Sequence, residues 1–171
     1  MFVYVKNRFK GFSQKSYVFS EDGEKLLTIK ARIISPSNKT ELYDMDGNKL
    51  YTIRNKIFPI IKNCAYIFDT SGKKKKLLCK FKSKRGKIFK ASKCAYPISL
   101  DGSLDEGVTV SFDGQEVAYF EEFETDEKTF NKNSYELEIY DDVDCQDLSV
   151  AFLSAVVIGI DGLTLKLAYK K

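Results

Sequence analysis

The chain has 171 residues, 43% of them hydrophobic and 30% charged, with 13 Phe, 10 Tyr and no Trp, which is enough for one good core and short for two. It contains no histidine, which excludes the commonest general base, proton shuttle and metal ligand. The formal net charge of +4 hides a split: residues 1–100 carry 23 Lys and Arg against 7 Asp and Glu, and residues 101–171 carry 5 against 17. Such a split makes the molecule an electrostatic dipole with a basic surface for anionic partners, or two neighbouring faces that attract each other.

The opening stretch, Met1 to Lys6, reaches a lysine after five residues and lacks the long apolar run of a secretory signal. Cys64, Cys79, Cys94 and Cys145 include no Cys-x-x-Cys pair, and a chain of this size needs no disulfide scaffold. Reduced, mostly buried thiols and a cytoplasmic location are expected.

Along the chain a unit then repeats. Tyr17 to Ile29, Glu41 to Ile53 and Tyr66 to Leu78 each consist of an apolar run, a polar turn closed by glycine (Gly23, Gly47, Gly72) and a second apolar run. A weaker copy, Val108 to Phe120, turns at Asp113-Gly114. Glycine supplies the positive φ of a tight turn and Asp hydrogen-bonds the turn backbone, so these are β-hairpins. The spacing around Asp46 superficially suggests a calcium loop, but the full twelve-residue ligand pattern is absent. In Tyr135-Glu-Leu-Glu-Ile139, apolar and charged residues alternate, which buries one face and wets the other. Many short antiparallel strands of this kind predict a sandwich or a closed barrel.

Leu148 to Ile160 carries no charge and leaves no polar stripe at the helical period, so a helix here must be buried all round. Its thirteen residues span roughly 20 Å, short of the ~30 Å needed to cross a bilayer. A helix over about 145–161 is predicted, capped by Asp144 or Asp147, with Phe152, Val156 and Ile160 in the core. Residues 162–168 could extend it or add a strand. One domain over 1–171 follows, with hairpin repeats over 1–140 and a sheet curled around the helix.

The recurrent Gly-closed turns, Gly114-Gln-Glu-Val-Ala-Tyr119, the strand Tyr135 to Ile139 and the helix ending at Ile160-Asp161 resemble the LURP-one-related family of the tubby C-terminal-like superfamily, which also includes the phospholipid scramblases. The resemblance spans essentially the whole chain through diffuse motifs. It implies a closed antiparallel barrel of about twelve strands around a central apolar helix. It also implies phosphoinositide or membrane-lipid binding, as in tubby domains and scramblases, although many LURP-one-related proteins have no assigned activity. The acidic segment credited with calcium binding in scramblases corresponds here to Asn131 to Tyr140. Asn131 and Asn133 stand where that pattern has aspartates, and Lys132 between them adds positive charge, which removes carboxylates that calcium prefers.

The densest candidate site is Lys73, Lys74, Lys75 and Lys76, followed by Lys80, Lys82, Lys84, Arg85, Lys87, Lys90 and Lys93. If residues 79–84 form a strand, Lys80, Lys82 and Lys84 share one face while Cys79 and Phe81 point to the core. Such a stripe suits anionic phospholipid or phosphoinositide head groups at a membrane surface. It suits equally a solvated hairpin whose lysines blunt a sheet edge. A protein-interaction or scaffolding barrel is the alternative, including self-association of the basic and acidic regions. Nucleic acid ranks lower because no recognised motif accompanies the charge. The run Glu121 to Glu127 reads as a solvated strand end and loop. No catalytic constellation, metal set or cofactor motif is present, so a non-enzymatic, peripheral binding module without a transmembrane span is expected.

Overall fold

The computed structural model describes residues 1–10, 13–32, 38–57, 63–84, 88–91, 93–103, 105–123, 134–140 and 148–168. Twelve strands precede one helix. They are β1 (Phe2–Lys10), β2 (Ser13–Ser20), β3 (Lys25–Arg32), β4 (Asn38–Tyr43), β5 (Lys49–Ile57), β6 (Asn63–Asp69), β7 (Lys76–Lys84), β8 (Ile88–Ala91), β9 (Ile98–Ser103), β10 (Gly107–Phe112), β11 (Gln115–Phe123) and β12 (Ser134–Ile139). The helix α1 covers Val150–Ala168.

The sequence repeats are the hairpins β2–β3, β4–β5, β6–β7 and β10–β11. Gly23, Gly47 and Gly114 turn at φ of 79°, 84° and 83°, where a side chain would be strained. Each hairpin also carries a register shift just before its turn, at Val18/Phe19, Leu42/Tyr43, Ile67/Phe68 and Val110/Ser111. Such bulges bend a strand and increase its twist, so the repeat that sets the turns also sets the curvature. The calcium-like turn is local chemistry. The Asp44 carboxylate accepts from the Asn48 backbone N–H at 2.7 Å and from Asn48 Nδ2 at 2.9 Å.

All strands join one antiparallel sheet in the order β8-β7-β6-β5-β4-β3-β2-β1-β12-β11-β10-β9. The closed barrel expected from the sequence is only partly realised. The end strands β8 and β9 lie beside each other, but no ladder joins them among the described residues. β8 has four residues and pairs with β7 alone. The connection after it directs its backbone elsewhere, with Ala95 N–H donating to the Leu78 carbonyl at 2.6 Å and Asp113 N–H to the Pro97 carbonyl at 2.8 Å. The curled sheet therefore keeps a seam.

Inside it lies α1, every residue from Ala151 to Asp161 buried. Phe152, Val156 and Ile160 are 1%, 0% and 0% exposed, each stabilising the fold by ~1.5–3 kcal/mol through burial. The helix packs chiefly on β5 and β6, and also on β4 and β7. Gly159 opens its side towards Ile53, Ala65 and Ile67.

Two helix expectations change. The helix starts at Val150 and passes Asp161 to reach Ala168, so residues 162–168 extend it. Its cap is Ser149, whose Oγ accepts from Phe152 N–H at 3.1 Å, the third helical position that an N-cap side chain reaches. Asp144 and Asp147 lie outside the described residues. No helix among the described residues is long and apolar enough to cross a membrane.

Candidate functional site: the basic outer face

Alternation in β3 to β7 sends Leu27, Ile29, Leu42, Ile53, Ala65, Ile67, Cys79 and Phe81 inward, all buried. It leaves Lys30, Glu41, Tyr43, Arg54, Tyr66, Phe68, Lys80 and Lys82 outside, exposed or half-buried. The expected orientation of β7 is observed where its side chains are described: Cys79 and Phe81 face the core, and Lys80 and Lys82 face out. Lys73, Lys74, Lys75 and Lys76 stand exposed at the β6–β7 turn and the first position of β7. Lys84 ends β7, and Lys90 on β8 pairs with Lys82. Lys93 is exposed beyond β8. Arg85 and Lys87 lie outside the described residues, as do Asn131, Lys132, Asn133 and, of the run Glu121 to Glu127, Glu124, Asp126 and Glu127.

Register adds cations that the linear sequence scatters. Lys39 on β4 stands directly opposite Arg54 on β5, Arg54 opposite Tyr66 on β6, and Tyr66 opposite Lys80 on β7. Arg32 on β3 occupies the position opposite Lys39. One row thus crosses five strands with four cations and one aromatic ring. A parallel row places Lys15 opposite Lys30 and Lys30 opposite Glu41. Like charges directly opposite each other destabilise a sheet, by ~0.2–1 kcal/mol per pair, so this row works against the fold that presents it.

Glu41 is the one acidic residue on the described outer face of β3, β4 and β5. Its carboxylate accepts from Lys39 at 2.6 Å, Lys49 at 3.0 Å and the Tyr43 hydroxyl at 3.0 Å. Burial acts to raise its pKa, but the hydrogen bonds from Lys39, Lys49 and Tyr43 outweigh it and hold the group down at about 2. It therefore stays charged and neutralises part of the row. The Lys75 ammonium is held below its ordinary pKa, first by partial burial and then by repulsion from Arg54, Lys39 and Lys49. The lysine-rich turn and the strand row thus share one positive field.

Aromatic rings support these ammonium groups. Lys75 Nζ lies 3.7 Å from the Phe68 ring centre, Lys30 Nζ 4.4 Å from Tyr43 and Lys80 Nζ 5.2 Å from Tyr66. Contacts of this kind contribute ~0.5–1 kcal/mol each at exposed sites and hold the charges up without neutralising them.

The opposite flank has the reverse sign. Glu121 on β11 faces Glu136 on β12, and Glu138 faces Tyr119, while Asp101 and Glu116 are exposed on β9 and β11. Tyr4 on β1 lies beside this group, its hydroxyl pKa raised by burial and by the Glu136 and Glu21 carboxylates. The chain-half charge split is therefore a split between two flanks of one sheet.

The LURP-one-related family profile matches residues 1–161, spanning all twelve strands and the helix as far as Asp161. The chain belongs to the LURP-one-related family. An X-ray structure of a protein from Arabidopsis thaliana is similar in fold, with a TM-score of 0.61 and 17% sequence identity over 94% of this chain and 90% of that one. A search of curated proteins found no match.

Proposed function

We propose that this LURP-one-related chain is a non-enzymatic module that docks at membrane surfaces by binding anionic phospholipid or phosphoinositide head groups through the outer face of β3 to β7. The observation that carries this reading is the row of directly opposed cations, Lys39 and Arg54 in particular, whose repulsion an anionic surface relieves. Near such a surface each Lys or Arg contributes ~1 kcal/mol, and Lys39, Arg54, Lys75, Lys80 and Lys82 share one side of the sheet with a single paired acid between them. A lipid surface fits better than nucleic acid. Base stacking needs open ring faces, and here ammonium groups lie over Phe68, Tyr43 and Tyr66.

Four of the described carboxylates serve the fold itself. Glu41 is ion-paired, Asp44 and Asp69 hold turns, and Asp161 is buried against Tyr135.

Flotation with phosphatidylserine-containing and neutral phosphatidylcholine vesicles at low salt tests the proposal. Binding to the anionic vesicles alone is expected, weakening as salt rises. The double change Lys39→Gln with Arg54→Gln should reduce it about 30-fold, the equivalent of ~2 kcal/mol for two charges. Undiminished binding in this variant, or equal binding to neutral vesicles, rejects the assignment.

A second reading rests on the acidic flank, where Glu121 opposes Glu136. Basic and acidic flanks of two copies are complementary in charge. Light scattering that shows a monomer at every salt concentration rules out this self-association.

A further inference from the structure

The connection after β8 brings together two cysteines that are 15 residues apart in the chain. Cys79 points inward from β7, fully buried, in register with Ile67. Cys94 is half-buried in the connection, and both thiols are free. The Ala95 backbone N–H donates to the Leu78 carbonyl at 2.6 Å, which clamps the residue after Cys94 onto the residue before Cys79. Lys93, the residue before Cys94, is held at φ 59°, a left-handed conformation that side-chain-bearing residues rarely adopt. The chain is thus bent sharply to deliver Cys94 to β7. There the Cys94 thiol meets the Cys79 thiol and the Lys80 backbone N–H, the two groups that act on its ionisation.

The two thiols are made unequal by this contact. Cys94 is held below the ordinary thiol pKa, by the Cys79 hydrogen bond first and the Lys80 amide in support, against the opposing effect of burial. Cys79 is pushed well up by its contact with Cys94 and by burial. Thiolate character and access together make a cysteine the attacking partner, and an adjacent thiol resolves the product. Cys94 has the first role and Cys79 the second.

We propose that Cys94 and Cys79 are a reversible redox pair, which hydrogen peroxide converts to an intramolecular disulfide that staples β7 to the β8–β9 connection across the seam. The Cys94 thiolate attacks one peroxide oxygen, the O–O bond breaks, and the departing hydroxide takes up a proton to leave as water. Cys94 is then a sulfenic acid. The Cys79 sulfur attacks the sulfenic sulfur, the S–S bond forms, the S–O bond breaks, and hydroxide leaves with the Cys79 proton as a second water. Two thiols are oxidised and one peroxide is reduced to two waters. A dithiol reductant reverses the bridge by thiol–disulfide exchange.

The test treats the intact protein with a small molar excess of hydrogen peroxide, alkylates the remaining thiols after denaturation, and maps tryptic peptides by mass. Cleavage after Lys76, Lys80 and Lys93 isolates the two cysteines. The expected product joins Leu77–Lys80 to the peptide that begins at Cys94, two hydrogens lighter than the separate thiols and restored by dithiothreitol. Cys64, in register with Lys82 rather than with either partner, is the internal control and should lose its thiol about ten-fold more slowly. Cys94→Ser should abolish the cross-link and leave Cys79 open to alkylation. Cys79→Ala should leave a Cys94 sulfenic acid that dimedone captures. If the buried Cys79→Ala change prevents folding, the wild-type map and the half-buried Cys94→Ser variant still decide. Cys79 and Cys94 both alkylated after peroxide, in protein whose circular dichroism is unchanged, overturns the proposal, as does a bridge to Cys64 or Cys145.

Discussion

The inner and outer faces of β3 to β7 follow opposite rules. Inside, Ile29, Leu42, Ile53, Ile67 and Phe81 are buried in one apolar cluster with the helix. Outside, the same strands set Lys39 against Arg54, and β3 sets Lys30 against Lys15 of β2, arrangements that oppose folding. The inner face supplies the stability that lets the outer face hold repelling charges in register. Period-two alternation separates the two tasks residue by residue, so each should be alterable without the other.

The strongest way to break that separation is to place a charge inside. Val156→Asp puts a carboxylate at a fully buried position of α1 and should unfold the protein, a loss of more than ~4 kcal/mol, seen as the absence of a cooperative melt. Loss of vesicle binding with an intact melt would instead move the binding surface to the helix. The one buried carboxylate among the described residues gives the next effect. Asp161 is 4% exposed and accepts a hydrogen bond from the Tyr135 hydroxyl at 2.8 Å. Burial raises its pKa to about 6, with the Tyr135 hydrogen bond opposing and the Glu122 charge adding to the rise. Because the folded state binds the proton more tightly than the unfolded state, the group's contribution to stability is complete below its ordinary value of 3.8 and is lost as pH rises through about 6. Urea midpoints should therefore fall across that interval by the equivalent of ~3 kcal/mol at most. Asp161→Asn should flatten the dependence, and an unchanged slope would show that other groups set it.

Smaller effects sharpen the contrast. Ser149→Ala removes the helix cap and should reduce stability by ~1 kcal/mol in denaturant unfolding. Lys39→Gln with Arg54→Gln, which weakens vesicle binding, should leave the melting temperature unchanged or raise it slightly. Relief of the opposed pair is worth up to ~1 kcal/mol, and loss of the Lys39–Glu41 contact offsets part of it. A large fall in stability here would mean that the outer charges hold the sheet together.

Local features were legible in the sequence. The turns at Gly23, Gly47 and Gly114, the alternation of Cys79, Lys80, Phe81 and Lys82, and the uncharged run of the helix each show within a few residues and were found where expected, whereas Gly72 lacks the positive φ expected of it. Features assembled by register were not. Lys39, Arg54 and Lys80 are separated by 15 and 26 residues, and nothing in the chain announces that they form one row until the ladders place them side by side. The same holds for Cys79 and Cys94. The helix end was misplaced because Asp161 looks like a terminator after an apolar run. It is instead a buried partner of Tyr135, 26 residues earlier in the chain. The seam was missed because closure depends on where the backbone after Ala91 sends its hydrogen bonds, which composition does not encode.

The helix at the centre of the molecule follows all twelve strands in chain order. Every strand leaves the ribosome before the residues that fill the space between them, and β1, paired early with β2, must wait for β12, 130 to 136 residues later, to find its second partner. Contacts so distant in sequence make folding slow, and a growing chain stopped before Val150 presents the apolar inner face of the sheet with nothing to cover it. Such a stalled chain should be cut readily by protease, and resistance should appear only once the Asp161 region has emerged to meet Tyr135.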